Sequence, residues 1–197
     1  MEPESAVRDM ISSHIDAAAG VLETQTTGLL TAAERLVRCL LEEGRIFSCG
    51  NGGSAANAQQ FAAKLLGRLE RERPALPVFC LAENAALATS LAGHYGAADM
   101  FARQLRALGR HGDILIAISA SGMSANTVQA VLAAHDRGMT AIVLTGHDGG
   151  DIARVLGNDD LEIRVPTVST ARTEEIHLLL LNVLCDLLER ELFGDTP

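Results

Sequence analysis

Aromatic residues are nearly missing from this 197-residue chain, which has one Tyr, five Phe and no Trp. That scarcity excludes an aromatic platform for stacking a sugar ring and a groove for single-stranded nucleic acid, so any sugar contact must be polar. Basic blocks are missing too. Against 25 Asp and Glu there are 16 Lys and Arg, a net charge of -9 and a pI near 5.1. No block of positive charge offsets the acidic residues for direct, nonspecific binding to nucleic acid or an anionic membrane. Cysteine is limited to Cys39, Cys49, Cys80 and Cys185, without CxxC spacing. Each sits in an apolar segment, where it reads as a small buried hydrophobe. No apolar run approaches the roughly twenty residues that span a bilayer, and the N-terminal Met1-Glu2-Pro3-Glu4-Ser5 is unlike a signal peptide. The expected location is cytoplasmic. There is no internal repeat and no low-complexity linker.

What is present is 48% hydrophobic residues, enough for one domain over residues 1–197 with a substantial core. Apolar residues at helical spacing predict two helices between Ser5 and Glu43, broken at Thr24 to Gly28. Short apolar runs predict buried strands at Arg45 to Cys49, Pro77 to Leu81, Asp113 to Ile118, Thr140 to Leu144 and Asp160 to Val165. Helical patterns separate them at Ser54 to Leu69, Leu87 to Leu108, Ser124 to Arg137 and Asp151 to Leu156, and a long one from Thr170 to Phe193 closes the chain. The expected fold is α/β: three layers, α/β/α, around a mostly parallel sheet of about five strands, with N-terminal helices and a long C-terminal helix. The first and last helices are apolar on more than one face, which points either to another subunit or to complete burial in their own core.

Two small-residue loops stand where a strand hands over to a helix: Phe47-Ser48-Cys49-Gly50-Asn51-Gly52-Gly53-Ser54 and Ile118-Ser119-Ala120-Ser121-Gly122-Met123-Ser124. Glycines let backbone amides point into a turn, serines add hydroxyl donors, and the helix that follows offers unpaired N–H groups and a positive dipole end. Such loops suit a phosphate. If both grip one anion their strands must be close in the sheet, which suggests a phosphosugar pocket rather than a nucleotide site. The alternative for the serines is helix N-capping alone.

These loops are followed by Leu144-Thr145-Gly146-His147-Asp148-Gly149-Gly150 and Ala171-Arg172-Thr173-Glu174-Glu175-Ile176-His177. In that order the four motifs resemble SIS-domain sugar isomerases of the phosphoheptose isomerase group, along essentially the whole chain. The resemblance implies a homotetramer with phosphosugar pockets at subunit interfaces. It gives Ser54, Ser119, Ser121 and Ser124 to the phosphate, and Asn51 and Arg68 to the pocket wall.

The same resemblance exposes departures. In the isomerases a His and a Glu after the first loop join a Gln and a His of the last helix to hold zinc and move protons. The matching positions here are Gln60, Lys64, Glu174 and Asn182, still spaced to share helix faces. An enediol isomerisation needs a carboxylate or imidazole of suitable pKa near C1 and C2, which Gln60 and Asn182 are not. Zinc keeps one carboxylate, a poor set. On this reading there is no cofactor, zinc entering only if the chain is an isomerase, and Lys64 and Glu174 are expected to pair. An Asn-Asp pair of the isomerases appears as Gly93-His94, and Ala120 and Met123 stand where Thr and Asn are common. His94 is either a recruited base or, more simply, a surface residue.

One branch with similarly altered chemistry is the DiaA group, which associates with the replication initiator DnaA. Ser54-Ala55-Ala56-Asn57-Ala58-Gln59, Arg71-Glu72-Arg73-Pro74, Gln104-Leu105-Arg106-Ala107-Leu108-Gly109 and Asn182-Val183-Leu184-Cys185-Asp186-Leu187 resemble it. The expectation is then a homotetrameric scaffold that gathers several DnaA molecules by multivalency, touches no DNA itself, and keeps a phosphosugar pocket without turnover. Leu192 and Phe193 are its candidate partner contact, the alternative being that they dock within the tetramer. Two other readings stay open: a phosphoheptose isomerase converting sedoheptulose 7-phosphate to D-glycero-D-manno-heptose 7-phosphate with Lys64 and Glu174, and a phosphosugar-sensing module.

Overall fold

The computed structural model describes residues 2–194. Alternation of side chains along short β-branched runs builds five parallel strands: β1 (Ile46–Cys49), β2 (Val78–Cys80), β3 (Ile114–Ser119), β4 (Thr140–Thr145) and β5 (Leu161–Arg164). Their order in the sheet is β2-β1-β3-β4-β5, with Ile46 beside both Val78 and Ile114, and Ser119 beside Thr145. Between and around them lie α1 (Pro3–Leu41), α2 (Gly53–Leu66), α3 (Ala85–Tyr95), α4 (Met100–Leu108), α5 (Ala125–Asp136), α6 (Gly150–Arg154) and α7 (Thr170–Phe193).

The pleat sends successive strand residues to opposite faces, and each face has its own core. Ile114, Ile116, Ile118, Ile142, Leu144 and Ile163 pack under α1, α2 and α7. Phe47, Leu115, Ala117, Ala141 and Val143 pack under α4, α5 and α6. The result is the expected three-layer α/β/α arrangement, five-stranded and parallel. The two edge strands, β2 and β5, are less completely buried than β1 and β3, and Phe79 of β2 is 44% exposed.

Two helix boundaries differ from the sequence reading. The break foreseen at Thr24 to Gly28 is absent, and α1 runs unbroken for 39 residues. The Thr24 and Thr26 hydroxyls donate to the carbonyls of Gly20 and Leu22, one turn back, so they add to the helix instead of competing with it. Packing on α7 and β5 then outweighs the weak propensities of Thr and Gly. Conversely, the single helix foreseen from Leu87 to Leu108 is two, parted at Gly96, whose φ of 86° is a left-handed conformation that stops α3. A short 3-10 turn at Ala97–Asp99 then leads into α4.

Candidate functional site

The chain leaves β1 toward β2 on one side and returns to β3 on the other, so the sheet order reverses between β1 and β3. Loops at the carboxyl ends of two such strands part and leave a crevice, the usual place for a ligand in an open α/β sheet. Here those are the two Gly/Ser loops, brought together by the pairing of Cys49 with Ala117. Asn51, Ser54, Ser119, Ser121, Ser124, Thr170 and Glu174 line a cleft of about 140 Å³ at that point.

The serines are not spent on capping. Ser54 lies inside α2, whose N-cap is Gly52, and Ser124 is the N-cap residue of α5 but makes no side-chain capping bond. Ser119 Oγ and Ser124 Oγ are 3.4 Å apart, and Ser121 Oγ accepts from the Met123 amide at 3.2 Å. Hydroxyls from two loops and the first turn of α5 thus face one small space, as an anion site requires. Asn51 is fixed by a reciprocal amide pair: its Nδ2 donates to Asn126 Oδ1 at 2.7 Å, and Asn126 Nδ2 returns a bond to Asn51 Oδ1 at 2.9 Å. Asn126, buried on α5, ties one loop to the other. It is the site residue that spacing did not reveal, because the pairing joins positions 75 apart.

Helices α2 and α7 run parallel, with Asn57 Nδ2 donating to the Glu174 carbonyl at 2.8 Å near their starts. The Glu174 carboxylate lies against Gly53, in the space that a Cβ there would take, so any larger residue would displace it. Glu174 is therefore in the cleft with the serines. Farther along, Lys64 Nζ donates to Asn182 Oδ1, and Lys64 and Glu174 form no ion pair, contrary to expectation. The physical reason is position: Glu174 sits at the first turn of α2, and Lys64 lies eleven residues on from Gly53, about 16 Å along the axis. Gln60 is exposed one turn before Lys64.

This set does not fit zinc. A protonated lysine has no lone pair to give a metal, the oxygen of Asn182 is already taken by that ammonium, and Gln60 offers only a neutral amide. One carboxylate, Glu174, remains, and among the described residues no three His, Cys, Asp or Glu side chains gather as a ligand group. The nearby Cys185 thiol is pushed up to about 12 by burial, with Lys64 pulling the other way.

The other foreseen residues lie outside the cleft. Arg68 is exposed and paired with Glu72 at 2.6 Å. His94 is exposed in the last turn of α3, its Nδ1 bonded to the Ser90 carbonyl. Leu192 is half-buried against the core while Phe193 is 42% exposed, so the pair does not project as two free apolar anchors. His177 is fully buried, donates from Nε2 to the Thr145 carbonyl at 3.0 Å, and finds no partner for Nδ1 among the described residues. Burial pushes its pKa down to about 4, keeping it neutral as a brace between α7 and β4.

The SIS domain family model matches residues 11–146. The phosphoheptose isomerase of Chromohalobacter salexigens is 50% identical over 196 residues, covering the whole of both chains. That of Methylococcus capsulatus is 47% identical over 99% of this chain and all of its own. Among solved structures, a phosphoheptose isomerase from Francisella tularensis superposes with a TM-score of 0.94 at 38% identity, covering 96% of this chain and 100% of that one. The enzyme from Neisseria gonorrhoeae gives 0.90 at 40% identity, over 94% and 98%. These full-length relatives overturn the expectation of a DiaA-type initiator scaffold: the short stretches that suggested that branch carry less weight than half-identity along the entire chain, and the Leu192-Phe193 pair is not freely presented. The chain belongs to the SIS-domain phosphoheptose isomerase family.

Proposed function

We propose that this protein binds a phosphosugar in the cleft between the β1 and β3 loops and acts as a phosphoheptose isomerase, interconverting sedoheptulose 7-phosphate and D-glycero-D-manno-heptose 7-phosphate. One observation carries the reading: the cleft that gathers the hydroxyls of Ser54, Ser119, Ser121 and Ser124 also contains a carboxylate, Glu174. The serines and the start of α5 take the phosphate. Asn51, held by Asn126, takes a sugar hydroxyl. Glu174 removes the C1 proton of the ketose, leaving an enediolate; a proton passes from the C1 hydroxyl to the C2 oxygen, and Glu174 returns its own proton to C2, giving the aldose. No step uses a cofactor. Full-length relatives named phosphoheptose isomerase support the choice of substrate.

The assembly belongs to the same reading. Helix α3 has no buried residue although it is rich in Ala and Leu, and Met10, Ile11 and Ile15 of α1 are each more than half exposed. These faces are covered by other copies in a cytoplasmic homotetramer.

A second reading, a phosphosugar-sensing module without turnover, is favoured by the amides at Gln60 and Asn182, neither of which can move a proton. Calorimetry with sedoheptulose 7-phosphate, followed by NMR of the same mixture, separates the two. Binding with conversion is the result for the isomerase, binding without conversion for the sensor, and no binding rejects both.

A further inference from the structure

Helix α7 puts a second polar group into the cleft besides Glu174. Thr170, the first residue of the helix, lines it four residues earlier, on the same helix face and about 6 Å back along the axis. Capping does not need it, because the helix is capped by Ser169, whose hydroxyl accepts from the Arg172 amide. Elsewhere in this chain helical threonines commit the hydroxyl to a carbonyl one turn back: Thr24 to Gly20, Thr26 to Leu22, Thr31 to Thr27, Thr89 to Ala85 and Thr173 to Ser169. One turn before Thr170 is Pro166, outside the helix, and no such bond forms. The Thr170 side chain is exposed, and its hydroxyl has no partner among the described residues.

The cleft face of α7 joins the two halves of the site. Glu174 lies on the β1 side, against Gly53. The first turn of α7 lies on the β3 side, where Gly146 touches both the Ala120 carbonyl and the Thr173 side chain. A sugar with its phosphate on Ser119, Ser121 and Ser124 and its reacting carbons at Glu174 carries its remaining hydroxyls along that face. We infer that Thr170 is a specificity residue of the cleft: its hydroxyl, which can donate or accept, exchanges a hydrogen bond with a hydroxyl of the sugar chain between the phosphate and the carbons at Glu174. The contact favours a polyhydroxylated phosphate ester over phosphate alone, and it is polar, as the scarcity of aromatic residues requires. The inference rests on the phosphosugar reading for its ligand.

Calorimetry on the full-length protein with two ligands, sedoheptulose 7-phosphate and inorganic phosphate, tests it. Thr170→Val keeps the β-branched shape and loses the hydroxyl. It should bind the heptose phosphate about three- to ten-fold more weakly, the worth of one neutral hydrogen bond, and inorganic phosphate as before. Thr170→Ser keeps the hydroxyl and should bind both ligands within about two-fold of the natural chain. Unchanged heptose phosphate binding in Thr170→Val overturns the inference while leaving the functional reading in place. Equal weakening of both ligands overturns it too, because the hydroxyl would then serve the phosphate or the local structure rather than the sugar chain. Failure of the natural chain to bind the heptose phosphate rejects the functional reading itself, and with it the ligand assigned to Thr170. Retained phosphate binding shows that each variant is folded.

Discussion

The Glu174 carboxylate lies against Gly53 in the same cleft as Ser119, Ser121 and Ser124, so removing its charge separates proton transfer from binding. Glu174→Gln should lower the rate of heptose phosphate conversion on the order of 10²- to 10⁴-fold, the usual worth of a positioned base, with inorganic phosphate affinity nearly unchanged by calorimetry. A comparable loss of phosphate binding would place Glu174 in the anion site instead. His177 makes a pH prediction. Its folded pKa is depressed from 6.5 to about 4 by burial, so between those values the unfolded chain takes up a proton that the folded chain refuses. The stability that a neutral His177 confers is complete above about pH 6.5 and is lost as pH falls toward 4, at most about 3 kcal/mol in all. His177→Gln, which keeps a donor for Thr145, should flatten the pH dependence of the urea midpoint across that window. An unchanged slope would assign the acid sensitivity to other groups. At this scale the sequence reveals residue types better than partners. Ser54, Ser119, Ser121 and Ser124 are legible because glycine and serine after a strand have few other uses, whereas Asn126 and the Lys64–Asn182 bond join positions 75 and 118 apart and leave no local trace.

Among the elements, the parallel pair α2 and α7 decides where the site chemistry can sit. Its far end is locked by Arg73 and Glu189, both side chains only 1% exposed. Three more guanidinium N–H groups go to the carbonyls of Lys64, Leu65 and Pro74 at 2.7, 2.7 and 3.0 Å, so four of the five donors are placed and the pair fixes the turn after α2. Glu189→Ala strands a buried guanidinium and should cost about 3–5 kcal/mol, read as a lower urea midpoint. A loss below about 1 kcal/mol would mean that water replaces the carboxylate. Strands β1 to β5 are legible to within a residue or two because a parallel sheet covered on both faces writes itself as short, nearly continuous apolar runs. Helix α1 is not, because its continuity through Thr24 to Gly28 comes from packing on α7 and β5, at the other end of the sequence.

For the whole molecule, acidity and the lack of aromatics bound the partners, and the reversal of strand order places the cleft, but neither says which surfaces are covered. The exposed Val7, Met10, Ile11 and Ile15 along α1 make the assembly testable. Light scattering should give the mass of four chains, and Ile11→Glu with Ile15→Glu should shift the protein to smaller species while leaving its circular dichroism intact. A natural chain that stays monomeric at high concentration would contradict the homotetramer. Short motifs do not decide between scaffold and enzyme, since Gln60, Lys64 and Asn182 read as lost function, and it is half-identity to phosphoheptose isomerases along the whole chain that turns the reading.

The most direct measurement of the central claim is NMR-monitored conversion of sedoheptulose 7-phosphate by the purified natural protein in the presence of a zinc chelator, beside Glu174→Gln. Conversion should be left unchanged by chelation and slowed at least about 10²-fold by the substitution. No conversion by the natural protein, with or without zinc, would contradict the claim.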